Sequence, residues 1–491
     1  MRYSAVLPRD VHQVLLDHLL RWDVQEDACF ALWRPSTGQG RTSAVLVRAI
    51  LPESGDRLVH GNVEITPQYF SKAIRAALQE KCGIALLHSH LGPGWQDMSD
   101  DDMRAERIYA SRAKGATGLP LVGLTLGTDG SWSTRFWEKT APNTYDRIWC
   151  ESTRVVGQGL QVTFDDRQLP VPGYREELSR TVSAWGDRVQ GVLSRLTIGV
   201  VGVGSVGSMV AESLVRMGVG RIVLMDFDSV EAVNLDRHLH ATTNDIGKAK
   251  VRVTADALRA KATAGNFEVV PLEYSVVEPE GLAAALDCDL IFSCVDRPWA
   301  RHVLNFIAKG HLIPVIDGGV LAEPTKQMNG LKRADVRAHV VMPETSCLAC
   351  MGQYRVELVQ AEREGFLDDD SYIKNLPSGH ELKRNENVFA FSMMAASLEV
   401  RQLISLIATS VHANPQQAYH FVTGGMDSDY KTCDAACSFE SLLGIGDHSP
   451  VALTGTHRIA EHQRQMRNSK AAVSSPSTGS WFRRLVSRLK V

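Results

Sequence analysis

The sequence predicts an α/β chain carrying two separate chemical domains, and three observations predict it. An apolar strand at 197–201 runs into Gly202, Gly204 and Gly207 and then into a helix at 205–217. Strands at 221–225 and 289–293 follow with helical stretches between, the pattern of parallel strands joined by crossover helices. Residues 1–150 mix strand candidates at 44–51 and 84–87 with helical spacing over 69–78.

Each segment has its own reason. The 491-residue length sets a prior of about three domains. Residues 151–175 contain Gly157, Gly159, Pro170, Pro172 and Gly173, so a linker or docking segment is expected there. The nucleotide-type α/β pattern occupies 176–450. Residues 451–491 are expected to be a flexible basic tail, with a linker at 471–480 and a short amphipathic end, Trp481 to Val491, able to touch an acidic partner or a membrane surface.

Composition narrows the class. The chain is 44% hydrophobic and 22% charged, as globular proteins are. A net charge of -3 gives no reason to expect nucleic acid. No apolar run approaches the roughly 20 residues that span a bilayer, and Met1 to Pro8 has no signal-peptide core. The nine cysteines include two close pairs, Cys347/Cys350 and Cys433/Cys437. That favours metal thiolates in a reducing cytoplasm over a disulfide framework.

The first chemical constellation is His88-Ser89-His90 followed by Ser99-Asp100-Asp101-Asp102. Residues two apart on a strand point to one face. Imidazoles and a carboxylate are a zinc ligand set that leaves a position open for chemistry. Asp101 and Asp102 both compete to be the third ligand, at what reads as a helix start. A general base must also take the proton of the attacking water.

These residues resemble the JAMM (MPN-type) metallopeptidase family, whose pattern is a distant Glu, then H-S/T-H, then S-x-x-D. The resemblance covers roughly 1–140. It implies an α/β peptidase domain in which His88, His90 and Asp102 bind zinc, Glu26 is the general base, and Ser99 helps hold the oxyanion or the water. Eight residues separate His90 from Ser99, a slightly longer spacing than the family's.

The second constellation begins with the turn Gly202-Val203-Gly204-Ser205-Val206-Gly207. Such a turn lets backbone N–H groups reach phosphate oxygens at a helix N-terminus. Asp226 or Asp228, after the next strand, fits a ribose contact for NAD or ATP. Asn234, Arg237 and Lys250 then add polar and cationic groups near the phosphates, which pyrophosphate displacement needs and hydride transfer does not. Asp296 ends another strand and is a Mg²⁺ ligand candidate.

This series resembles the ThiF/MoeB and ubiquitin-activating enzyme superfamily over about 176–440. The resemblance implies a Rossmann-like adenylyltransferase. Gly202, Gly204 and Gly207 would form the nucleotide loop, Asp226 and Asp228 the acidic strand end with Asp228 on the ribose. Asn234, Arg237 and Lys250 would bind phosphates, and Asp296 would hold magnesium. Arg180 would reach the ATP of a second protomer, implying a homodimer. Cys347, Cys350, Cys433 and Cys437 would form a structural zinc site, although the second pair is C-x-x-x-C rather than C-x-x-C.

Between Cys350 and Cys433 the sequence has no cysteine, where ubiquitin-activating relatives place the acceptor thiol. The segment 351–385 offers Ser371, Tyr372 and Ser378 as hydroxyl nucleophiles, and an alkoxide is harder to form than a thiolate. Taken together, the resemblances imply a bacterial-type fusion. It would adenylate the C-terminus of a ubiquitin-like protein and trim or remove that protein, with a conjugating enzyme as partner, some such systems being tied to antiviral defence. The alternative is activation and maturation of a sulfur carrier for cofactor or metabolite biosynthesis.

Overall fold

The computed structural model describes the chain except residues 61–62, 174–175, 326, 328, 377–385, 410–413, 451 and 475–491. The N-terminal part runs β1 (Arg2–Pro8), α1 (Arg9–Leu19), β2 (Ala28–Thr37), β3 (Arg41–Ile50), β4 (Arg57–Val59), β5 (Val63–Ile65), α2 (Pro67–Glu80), β6 (Gly83–Ser89), α3 (Asp100–Thr117), β7 (Leu121–Leu126), β8 (Trp132–Ala141), β9 (Thr144–Trp149), β10 (Ser152–Val156) and β11 (Leu160–Phe164). Its sheet has the order β11-β10-β1-β3-β2-β6-β7-β8-β9. Apolar residues alternate faces along these strands. Leu7, Ala31, Leu46, Leu87 and Phe136 pack on one side with α1, and Phe30, Leu32, Ile84 and Leu86 pack on the other with α2 and α3. Helix α2 starts where expected because Thr66 caps it and Pro67 occupies its first position.

The second part runs α4 (Ser179–Leu193), β12 (Thr197–Val201), α5 (Ser205–Arg216), β13 (Arg221–Met225), α6 (Lys250–Arg259), β14 (Glu268–Leu272), α7 (Pro279–Ala285), β15 (Leu290–Ser293), α8 (Pro298–Gly310), β16 (Val315–Pro324), β17 (Leu331–Val341), α9 (Val356–Arg363), α10 (Asp370–Asn375), α11 (Phe389–Ala408), β18 (Gln416–His420), β19 (Gly425–Asp429) and α12 (Arg458–Ser474). The sheet order is β14-β13-β12-β15-β16-β17-β18-β19. Strands β14 to β16 in that order are parallel, and the rest is an antiparallel extension. The order reverses between β12 and β15, which opens a crevice at their carboxyl ends.

Three expectations are corrected. The segment 151–175, expected to be a linker or docking segment, contains two strands. β10 pairs with β1 and β11 with β10, and Gly157 and Gly159 form the turn between them. The expected flexible tail contains α12, which is docked through Arg464 and Arg467; the amphipathic end lies outside the described residues. Helix α11 is long and apolar enough by composition to cross a membrane, contrary to the reading that no segment approaches this. It packs instead against α5, β16 and β17, with 61% of its apolar window buried.

The two parts share one apolar core. Val6, Val45, Val156, Leu160 and Phe164 of the first cluster with Ile198, Leu224 and Leu290 of the second. A buried ionic lock lies beside them. Arg41 Nη1 meets Asp289 Oδ1 at 2.5 Å, Arg154 Nε lies 3.7 Å from the same oxygen, and Thr197 N donates to Asp289 Oδ2 at 2.9 Å. Burial pushes the Asp289 carboxyl up, and the charges of Arg41 and Arg154 more than reverse this.

Candidate functional sites

Strand β6 ends at His88 and Ser89, and Ser99 caps α3 with the carboxylate of Asp102 returned to the cap. That capping geometry turns Asp102 inward. Asp102 Oδ1 lies 3.5 Å from His88 Nε2 and Oδ2 lies 3.3 Å from His90 Nε2. Tetrahedral zinc with bonds of about 2.0–2.1 Å separates its ligand atoms by about 3.3 Å, so this donor set fits the ion. Burial raises the Asp102 carboxyl, but hydrogen bonds from His88, His90 and Ser99 hold it well below the usual carboxylate range. Asp101, the rival, is exposed and paired with Arg104.

Glu26 lies just before β2, half-buried. Ala28 pairs with His88 and Ser89 N donates to Asp27 O, so Glu26 stands two residues before the strand position that faces His88. Asp27 is held by Arg57 and Arg21. Ser99 Oγ donates to Asp102 Oδ2 at 2.7 Å, so the hydroxyl expected near the oxyanion is paired with the Asp102 carboxylate. Sequence reading did not find Thr125, whose Oγ1 lies 3.2 Å from His88 Nε2 and accepts from Arg135 at 2.6 Å. Only the parallel pairing of β6 with β7 brings it there.

The second site is a cavity of about 1240 Å³ at the carboxyl ends of β12, β13 and β15. Gly202, Gly204, Asp226, Asp228, Asn234, Arg237, Lys250 and Asp296 all line it. Gly207 sits behind the loop, where an added Cβ would lie 1.9 Å from Gly202 O, so close packing of helix on strand demands glycine. Gly204 has open space above it, as backbone approached by a phosphate needs.

Asp226 and Asp228 divide the acidic role. Asp226 Oδ2 accepts from Val203 N at 2.7 Å and Oδ1 from Asp228 N at 2.8 Å, so both its oxygens brace the loop. Burial lifts its pKa to about 6, the Asp228 charge adds to this, and Lys250 opposes it. Asp228 Oδ2 accepts from Lys250 Nζ at 2.8 Å. Burial alone would lower the Lys250 pKa, but the charges of Asp226 and Asp228 raise it. His238 was missed by sequence reading; its Nε2 lies 3.1 Å from Val203 O and pins the loop from the other side. Arg237 bonds to Val233 O and to Asp236 at 2.7 Å, so its fork is turned to its own loop. Arg180 lies outside this cavity, exposed beside Glu176 and Glu177.

The four cysteines converge. Their sulfurs lie within 4.8 Å of one another, and Cys347 Sγ to Cys437 Sγ is 3.7 Å. Four thiolates on zinc at about 2.3 Å sit about 3.8 Å apart, so this set also fits. A hydrogen bond from Cys433 pulls the Cys347 thiol down to about 5. The longer second pair is absorbed by a turn in which Cys437 N bonds Asp434 O. In the crossover stretch, Ser371 Oγ donates to Asp369, Tyr372 stacks near Phe366, and Ser378 lies outside the described residues.

The chain is similar to several known proteins. Ubiquitin-like modifier-activating enzyme 5 of Drosophila willistoni is 30% identical over 167 residues, 31% of this chain and 38% of that protein. The same-named protein of Culex quinquefasciatus is 34% identical over 119 residues, 22% of this chain and 30% of that protein. The chain thus matches well under half the length of these relatives. Among solved structures, E. coli MccB with ATP aligns at a TM-score of 0.43 and 20% identity, covering 55% of this chain and 76% of that one. The ThiF family model matches residues 177–437, just over half of the chain and all of the second site's lining named above. The chain belongs to the ThiF family.

Proposed function

We propose that this protein adenylates the C-terminal carboxylate of a ubiquitin-like protein and, through its N-terminal domain, hydrolyses peptide or isopeptide bonds to that protein. The observation that carries the reading is the gathering of loop glycines, Asp228, Lys250 and Asp296 around one cavity.

The backbone N–H groups at the start of α5 hold phosphate oxygens. Lys250 leaves Asp228 to neutralise the phosphates, which frees Asp228 for the ribose. The substrate carboxylate attacks the α-phosphorus, and pyrophosphate leaves as the acyl-adenylate forms. Magnesium on Asp296 would supply positive charge to the phosphates. In the N-terminal domain, zinc held by His88, His90 and Asp102 would supply a Lewis acid. Glu26 takes the proton of the attacking water and returns it to the leaving amine.

A partner's thiol or amine attacks the acyl carbon, the acyl–phosphate bond breaks and AMP leaves, a conjugating enzyme being the fitting acceptor because the sequence from 351 to 432 supplies no cysteine. The same lack favours a second reading, activation of a sulfur carrier. Arg180, lying outside its own cavity, supports a homodimer in which it completes a neighbour's site.

The test is ATP–pyrophosphate exchange with candidate small proteins ending in glycine. Exchange is expected only with the cognate protein. Asp296→Ala should lower it about a hundredfold or more while chelator-sensitive cleavage of a tagged substrate persists. Glu26→Ala should do the reverse. Exchange with no such protein would sink the adenylation reading; cleavage surviving both chelation and Glu26→Ala would sink the peptidase reading.

A further inference from the structure

The cavity has a wall that lies outside the ThiF family match. His457 and Ile459 line it, although the match ends at residue 437. In a doubly wound fold the phosphates sit at the glycine turn and the ribose at the acid after the next strand. The base therefore lies beyond Asp228, among Phe227, Tyr274, Val276, His457 and Ile459.

His457 is built for a base. Its ring is 8% exposed, with its centroid 4.6 Å from that of Phe227 and 6.3 Å from Trp299, nearly parallel to the latter at 16°. Ala460 N donates to His457 Nδ1 at 3.2 Å, so the proton of the neutral ring belongs on Nε2. Burial lowers its pKa, which keeps the ring neutral. No described residue bonds Nε2.

Helix α12 fixes this ring against both loops that flank the base. Arg464 pairs with Glu278 at 2.5 Å, donates to Glu273 O at 2.9 Å and lies 4.3 Å over the Tyr274 ring. Arg467 pairs with Glu273 at 2.8 Å and donates to Ser229 Oγ at 2.8 Å and Phe227 O at 2.9 Å.

We propose that the C-terminal segment supplies the base-binding wall of the nucleotide site, His457 meeting adenine edge-on and donating to it through Nε2–H. This rests on the reading of the cavity as an ATP site. Two measurements on the full chain test it. Photolabelling with 2-azido-ATP should mark the peptide carrying His457, and unlabelled ATP should suppress the mark. Calorimetric binding of the analogue AMPCPP with magnesium should weaken about tenfold in His457→Ala. In His457→Phe, which keeps a ring but not the donor, it should weaken less. ATP-suppressible label found only on other peptides overturns the inference, as does unchanged affinity in His457→Ala. If the wild-type chain binds neither probe, the ATP reading of the cavity falls with it. If His457→Ala does not fold, the wild-type label decides.

Discussion

At the residue scale, buried neutral histidines set how the protein responds to acid. His12 is 7% exposed, and its Nδ1 accepts from Trp132 Nε1 at 3.0 Å. Burial, with help from the Arg9 charge, lowers its pKa to about 4. The unfolded chain therefore binds a proton near pH 6.5 that the folded one refuses until near pH 4. Its stabilising share is complete above pH 6.5 and is lost as pH falls through that window. At pH 5 the loss is about 2 kcal/mol. Urea midpoints at pH 7 and pH 5 should differ less in His12→Gln than in the wild type; an equal difference in both would exclude His12 as a cause. Nothing in the sequence marked this histidine, because its burial depends on β8 delivering Trp132 from 120 positions away.

At the scale of the element, α3 shows how a cap decides which of two carboxylates faces the histidines. The sequence points to Asp102 and leaves Asp101 as a rival. Ser99 as N-cap places Asp102 at the third helical position, where its carboxylate returns to the cap and meets the histidines, and Asp101 turns to solvent. Ser99→Ala should cost about 1 kcal/mol of stability and loosen zinc about ten- to hundredfold, read by competition with a chromophoric chelator. Zinc affinity equal to wild type would show that Asp102 needs no such support. The glycine turn and α5 were legible to within a residue or two because their chemistry is local. Strands β10 and β11 were not, since glycines mark a hairpin turn and a linker alike.

At the scale of the whole molecule, the ionic lock joins the two domains. Asp289 holds Arg41 and Arg154 of the first part and the start of β12 in the second. Asp289→Ala strands two buried guanidinium groups and should cost about 3–5 kcal/mol in urea unfolding; a loss below about 1 kcal/mol, the size of an exposed pair, would mean the lock is dispensable. The glycine-rich α/β motif of the second part was readable in the sequence. The shared core was not, because Val6, Val45 and Val156 look like ordinary strand residues until the second sheet covers them.

The position of that lock also decides how a substrate travels. The turn between β2 and β3 touches Asp287, whereas the histidines sit at the opposite end of β2, beside Ala28. Asp289 likewise lies at the foot of β15, and the cavity opens at its head. At about 3.3 Å per residue, each site stands one strand length from the seam. The histidine cluster and the nucleotide-type cavity therefore lie back to back, with no shared cavity among the described residues. Under the proposed function, a tail released at one site would reach the other only through solvent, so joining the two on one chain would fix their ratio rather than a private route between them.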